Sequence, residues 1–505
     1  MIKYDDLSID ELFSLAVKNY KENNIETAQE LYNQILKIDP NNISSINNLG
    51  SISKVLDEDE KAKSYFEKVI EIDPNYPIAH YNLGSVFKKK GETQKAITCF
   101  EKAIRIDPNY ISPHINLGVI FQELAEDDKA KDCYEKVIII DPNYPIAHNN
   151  LGNIFKKLGE HKKAISCFEK AIEINPDFTE ANYNLGVTFH ELGKYEKAKN
   201  FYKKTIKIDP NFAKGFNNLG HVYHELNEDY KSRDCFKRAL KINPDFTDVY
   251  WNSQGSATDI DEALMIFKKL NKVDNTYINA KIMISALQGY KGNFDEFNSI
   301  LASPHSQNPY TRSVKWVFSL PKLPKLFFNR WKFFDAVIEL TEKIRPFYEF
   351  GVWHGISFKH LINTFKKGYG FDTFTGIPEV WHNEPKGNYS SFGAIPKIEG
   401  GEFIVGKFED TLEDFFSKKR PMASLINFDA DLYSSTLCAL NNSDKVIDEK
   451  TILIFDEFIV NDKWEEDEYK ALNEFCSNRG YSYEVIAVSF VTKQAAVKIN
   501  KKIND

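Results

Sequence analysis

The chain has 505 residues, too many for one hydrophobic core, so two or three domains are expected. Hydrophobic residues make up 42% and charged residues 27%, and a formal net charge of -8 argues against a general nucleic-acid binder, which should be basic. No run of about 18 apolar residues occurs, so no membrane span is expected. The opening "MIKYDDLSIDELFSLAV" is acidic and lacks the charged-then-apolar order of a signal peptide, which points to a cytoplasmic protein.

The first half repeats itself. Pro40, Pro74, Pro108, Pro142, Pro176, Pro210 and Pro244 recur every 34 residues, each within "IDP" or "INP". Three further series keep the same step: glycines from Gly50 to Gly220, alanines from Ala28 to Ala198, and aromatics from Tyr32 to Phe236. Two amphipathic stretches of helical length separate successive prolines. Small residues suit the close approach of paired helices, and proline ends the second helix of each pair. The pattern resembles the tetratricopeptide repeat, in seven copies over about residues 9–246. That resemblance implies an α superhelix with an inner groove that binds a protein or peptide partner.

Asn48, Asn82, Asn116, Asn150, Asn184 and Asn218 form a ladder two residues before each glycine. An amide offers a donor and an acceptor together, so such a column is suited to the backbone of an extended peptide. An ordinary helix-surface role for these amides is an equal alternative. His80, His114 and His148 also repeat, but one imidazole per repeat cannot converge on a single ion, so they are expected to pack. Cys99, Cys133, Cys167 and Cys235 share one place in different repeats. Neighbouring repeats stand roughly 10 Å apart and a disulfide spans at most ~7 Å between Cα atoms, so four reduced thiols are expected.

After Pro244 the period fails: in "WNSQGSATDIDEALMIFKKL", Asn252 is near its place but the glycine has slipped to Gly255. Capping helices are expected here, because an array must cover its last apolar face. "SPHSQNPYTRSVKWVFSLPKLPKLFFNRW" is rich in proline, basic and aromatic residues and reads as a hinge or packing segment, with a polybasic membrane anchor as the weaker alternative. The expected organisation is an array over residues 1–254, capping helices and linker over 255–332, and a second domain over 333–505.

That second domain alternates strand and helix. "PFYEFGV", "KGYGFDTF", "EFIVGKF", "ASLINFD" and "TILIFDEF" read as strands, mostly separated by helical stretches, and "YSYEVIAVSF" with "TKQAAVKI" reads as an antiparallel hairpin. The expected fold is α/β, a doubly wound and mostly parallel sheet finished by that hairpin, the Rossmann-like layout of class I methyltransferases. Ligands bind beyond the carboxyl ends of such strands. Glu349, Gly351 and Gly355 in "EFGVWHGIS" suit close approach to a ligand, although the full dinucleotide glycine motif is missing. Asp372 is placed to take ribose hydroxyls, with a helix cap or turn as the alternative. Glu409 and Asp410 are placed either to flank an adenine or simply to start a helix. Asp429, Asp431, Asp456 and Glu457 end adjacent strands, which lie about 4.8 Å apart, and their mutual repulsion calls for a cation or protons. Oxygen donors suit Mg²⁺, Ca²⁺ or Mn²⁺; helix capping and pairing with Lys or Arg is the plainer alternative.

"YEFGVWHGIS", "GFDTFTGIPEVW", "FDADLYSST", "ILIFDEF" and "KQAAVK" together resemble the macrocin O-methyltransferase-like (TylF-type) class I methyltransferases, over about residues 330–500. The resemblance implies S-adenosylmethionine on Glu349, Gly351, Gly355 and Asp372. It implies Mg²⁺ on Asp429, Asp456 and Glu457, with Asp431 beside the ion or the substrate, and a sugar or glycan-like hydroxyl as methyl acceptor. Glu457 departs from the Asp or Asn that the family usually carries at that position. His354, His382 and Tyr433 are candidate bases by position, and "NEPKGNYSSFGAIPKIEGG" a candidate closing loop. A peptide methyltransferase fed by the groove, or a non-catalytic scaffold, are the competing expectations.

Overall fold

The computed structural model describes residues 7–382, 386–387, 389–391 and 393–501. Two compact units divide it, residues 1–188 and 189–505.

The 34-residue step is a helix pair. The first unit holds Ile9–Lys21 with Ile25–Ile38, Ile43–Val55 with Asp59–Ile72, Pro77–Lys89 with Thr93–Ile106, Ile111–Glu123 with Asp127–Ile140, and Pro145–Lys157 with His161–Ile174. Helix Thr179–Glu191 follows, and the second unit continues with Tyr195–Ile208, Ala213–Glu225 and Asp229–Ile242. Each series of the repeat has a physical job. Asp39, Asp73 and Asp107 accept the backbone N–H two residues on (3.1, 2.9 and 3.0 Å), so the "DPN" signature is an Asx turn that redirects the chain where proline stops the helix. A Cβ on Gly118 would fall 2.5 Å from the Tyr134 ring, and one on Gly84 2.8 Å from the Phe100 ring, so glycine lets a buried aromatic of the paired helix close in. Burying each such ring is worth about 1.5–3 kcal/mol. The expected packing role of the histidines is more specific: Nε2 of His80, His114 and His148 each meets the carbonyl of the proline six residues earlier, at 2.9–3.0 Å.

In the second unit, helices Thr247–Ser253, Ile260–Val273, Ile278–Tyr290, Asp295–Leu301 and Pro309–Ser319 follow the last repeat. Among the described residues, eight strands then form one sheet: β1 (Lys325–Leu326), β2 (Phe347–Phe350), β3 (Gly368–Asp372), β4 (Gly401–Val405), β5 (Leu425–Phe428), β6 (Ile452–Phe455), β7 (Ser482–Val488) and β8 (Ala495–Asn500). Their order is β1-β7-β8-β6-β5-β2-β3-β4. Strands β4, β3, β2, β5 and β6 run parallel, and β8 is antiparallel to both β6 and β7.

Alternation along the strands feeds two cores. Tyr348, Phe350, Ile426, Phe428, Leu453 and Phe455 face one, together with helices Phe408–Ser417, Tyr433–Ser443 and Glu468–Arg479. Phe347, Leu425, Ile452 and Ile454 face the other, with helices Arg330–Ile338 and Ile356–Phe365. Helices therefore cover both faces, as the strand–helix alternation predicts. The expected boundary at residue 333 is corrected: Lys325 pairs with Ala487 on the sheet edge, and Phe333 and Phe334 of the Arg330 helix are fully buried. The proline-rich, basic–aromatic segment is thus partly structural sheet, because its aromatics supply apolar area that the second core needs. Among the described residues, no helix is long and apolar enough to cross a membrane.

Candidate functional site

Register builds the site. Phe371, Phe350, Phe428 and Phe455 pair across β3, β2, β5 and β6, and their rings stack in a row with centroids 4.8–5.3 Å apart. The next residue on each strand is Asp372, Gly351, Asp429 and Asp456. Sheet hydrogen bonds carry on to that level: Gly351, Asp429 and Asp456 each donate to a phenylalanine carbonyl of the neighbouring strand at 2.8–3.0 Å. A wall of phenyl rings thus holds three acids and a glycine along one edge.

Gly351 sits at φ +89°, and a Cβ there would lie 1.8 Å from the Asp429 carbonyl oxygen. Gly351, Trp353, Asp372, Phe408, Asp429 and Asp431 line one cavity at this edge, with Glu409 on its rim. Asp372 is committed within the chain: its carboxylate accepts from the backbone N–H groups of Val352 and Trp353, both at 2.7 Å, and of Phe374 at 2.6 Å. It braces the glycine loop rather than presenting both oxygens to a ribose. Gly355, at φ +71°, precedes helix Ile356–Phe365 and does not line the cavity. Asp410 lies in the first turn of helix Phe408–Ser417 and does not line the cavity.

Glu349 is fully buried beneath the edge, and Oε1 accepts from Asn427 Nδ2 at 2.8 Å. Burial pushes its carboxyl up to about 7 from an ordinary 4.5. The folded state therefore holds a proton that the unfolded state releases near pH 4.5. This contribution is full below that pH and is lost as pH rises through about 7. We expect Glu349→Gln to gain about 2.5 kcal/mol over wild type between pH 5 and pH 8, read from denaturant midpoints at both. Parallel wild-type and variant profiles would exclude this assignment.

The acidic residues do converge, but around a guanidinium. One Arg330 nitrogen lies 3.3 Å from Asp429 Oδ2 and 3.2 Å from Asp456 Oδ1. Glu457 pairs with Lys493 at 3.0 Å, and its N–H donates to Glu468, which is fully buried. Burial, and then Asp456, raise the Asp429 carboxyl well above its usual range while Arg330 opposes them; burial and Glu457 do the same to Asp431. Among the described residues no group of three or more His, Cys, Asp or Glu side chains is arranged to hold a metal ion. The donor set expected for Mg²⁺, Asp429, Asp456 and Glu457, does not fit an ion in this arrangement, because protein cations stand among it.

Arg330 escaped the sequence reading because it lies 99 residues before Asp429 in a stretch that reads as linker. A second cavity is lined by His221, Glu225, Gln254, Arg330, Asp456 and Lys493 among others. His221 Nδ1 meets His190 Nε2 at 3.1 Å, and burial, followed by His221, pushes His190 down to about 4. The three expected bases line neither cavity. His382 is paired with Asp467 at 2.8 Å, Tyr433 donates to Glu474, and the His354 ring sits 4.6 Å from the Trp353 ring. The candidate closing loop falls partly on residues 383–385, 388 and 392, outside the described residues.

The asparagine ladder is largely engaged within the array. Asn48 donates to Tyr32 (3.0 Å), Asn82 to Asn47 (3.2 Å), Asn116 to the Ser112 carbonyl (3.0 Å) and Asn184 to Asn149 (3.0 Å). Asn150 accepts from Asn149 and Asn218 from Asn217, at 3.3 and 3.2 Å. Asn47, Asn149 and Asn217 thus each reach a neighbouring amide, a tie that the single-column reading did not foresee.

A family profile described as Tetratricopeptide repeat matches residues 77–110, 145–178 and 213–246, another of that description matches 167–200, and one described as TPR repeat matches 59–91, 126–159 and 188–227. The chain carries a tetratricopeptide repeat array. Among solved structures it is similar to YrrB, described as a TPR protein with an unusual peptide-binding site, at 24% identity over 36% of this chain and 95% of that one, with a TM-score of 0.31. It is also similar to MamA (26%, 32% and 95%, TM-score 0.30) and to pilF of Pseudomonas aeruginosa (20%, 42% and 97%, TM-score 0.38). TM-scores this low carry no functional argument. No curated protein matches the chain.

Proposed function

We propose that the sheet region is an S-adenosylmethionine-dependent O-methyltransferase acting on a sugar or glycan-like hydroxyl, and that the array holds a protein or peptide partner in the cytoplasm. The observation that carries this reading is the strand order β7-β8-β6-β5-β2-β3-β4 with β8 reversed, the layout expected of class I methyltransferases, with a cavity at the carboxyl ends of β2, β3 and β5.

The residues around that cavity fit the donor. Gly351 lets the Asp429 backbone close in beside it, Trp353 and Phe408 offer apolar walls, and Asp429 and Asp431 offer acceptors. Adenosylmethionine bound there would supply an electrophilic methyl group. The protein's own part is to hold the acceptor oxygen in line and to keep water away, which positioning alone can make worth about 7–11 kcal/mol. No step is routed through Mg²⁺, whose expected donors are paired with Arg330 and Lys493.

Calorimetry of the full chain with adenosylmethionine should give a single site, weakened by Asp431→Asn. Incubation of a cell extract with the protein and a labelled methyl donor should yield a labelled carbohydrate. Label on polypeptide would favour the peptide methyltransferase, and absence of donor binding would leave the scaffold.

A further inference from the structure

We propose that the second cavity is the acceptor site and that the end of the repeat array forms one of its walls, recognising an uncharged polyhydroxylated ring. The inference rests on the methyltransferase reading and adds to it where the acceptor lies and which residues select it.

The cavity measures about 370 Å³, room for a sugar ring. Glu225, the last residue of repeat helix Ala213–Glu225, and Gln254, from the turn where the 34-residue period fails, line it together with Asp456 and Lys493 of the sheet region. Among the described residues, two polar atoms on this lining are buried with neither a hydrogen bond nor an ion pair. Gln254 is only 3% exposed and its Oε1 accepts nothing; Arg330 Nε donates to nothing. A buried amide oxygen without a donor is destabilising unless a ligand supplies one.

The chemistry of the lining selects the ligand. Glu225, Asp456 and Glu457 accept, while Arg330 and Lys493 donate, so acceptors and donors are interspersed. Burial alone would raise Glu225, but His221, His224 and Arg330 hold it below the ordinary carboxylate range, so it accepts as an anion. A hydroxyl both gives and takes a hydrogen bond and so matches a lining of mixed sign. Trp251 adds an aromatic wall for the apolar face of a ring. Position agrees as well: Arg330 lines this cavity and lies 3.3 Å from Asp429, which lines the donor cavity, so one ion pair links the two linings.

The test is saturation-transfer NMR on the full chain with methyl glycosides of glucose, mannose, galactose and rhamnose, repeated on Gln254→Met and Lys493→Met. Adenosylmethionine affinity is measured in parallel by calorimetry. At least one glycoside should bind wild type and lose roughly tenfold or more in affinity in Gln254→Met. That variant should keep its donor affinity and melt no lower than wild type, because an unpartnered oxygen has been removed; a merely structural glutamine would lower the melting point instead. Donor binding without any glycoside bound, or glycoside binding unchanged in both variants, overturns the proposal. Glycoside binding lost in the variants but no donor binding in wild type would sink the methyltransferase reading and leave the sugar site.

Discussion

Arg330→Met should destabilise the protein by about 3–5 kcal/mol at neutral pH, the range found when one partner of a buried ion network is removed. The guanidinium is the counter-charge for Asp429 and Asp456 and contributes to holding Glu225 ionised. Methionine keeps much of the side-chain volume, so the loss reads as electrostatics more than packing. The pH response should also change. Asp429 already has its folded-state carboxyl raised well above the ordinary value, so its protonated form is favoured on folding and stability falls as pH rises. Without Arg330 that fall should steepen, and acidification should recover part of the loss. A further outcome separates this account from a packing defect: with the guanidinium gone, Asp429 and Asp456 are open to a divalent ion. Millimolar MgCl₂ should then raise the melting temperature of the variant and leave wild type unmoved. Denaturant midpoints at pH 5 and pH 8, with and without MgCl₂, decide it. A loss of stability indifferent to both would mean that Arg330 is a filler.

Gly351→Ala should be the most damaging small substitution in the sheet region. The added carbon would fall 1.8 Å from a backbone oxygen of β5's continuation, and φ +89° is itself unfavourable for any side chain. Neither backbone can yield without breaking the Gly351 and Asp429 sheet bonds, so a loss of about 3 kcal/mol or more is expected, together with donor binding. Gly355→Ala is the internal comparison. It has positive φ too, but its new neighbours are side-chain atoms, an Ile398 methyl and the Pro396 ring, both at 3.1 Å, which can shift by a few tenths of an ångström, so the backbone strain of about 1–2 kcal/mol is the main cost. Equal effects at the two glycines would remove the close approach to Asp429 as the cause. The readout is thermal melting plus calorimetric titration with adenosylmethionine.

What could be read from the sequence divides by range. The helix pairs were legible because every repeat restates the same local physics, and Pro74 or Gly118 needs no distant partner to be understood. The strands from Phe347 to Asn500 were legible through their apolar runs and the turns between them. The convergence of Asp429 and Asp456 followed from strand ends alone, since parallel neighbours bring their last residues together. What occupies the space between them did not follow. Arg330 arrives from a segment whose proline and basic content hides a helix, and its role exists only once the Arg330 helix docks against the sheet. The engagement of the asparagine ladder was hidden for a related reason: a donor and an acceptor are visible in a sequence, but whether Asn82 has already spent its donor on Asn47 is not.

The three backbone bonds to Asp372 have a consequence for how a nucleoside would enter. A loop already tethered at Val352, Trp353 and Phe374 has little freedom left to surrender when a guest arrives. Most of the ordering entropy was spent when the chain folded, so the affinity for a donor would not be drained by stiffening its own cradle. For such a guest the pocket would be a finished mould, and Asp372 would act on it chiefly by keeping that mould in shape.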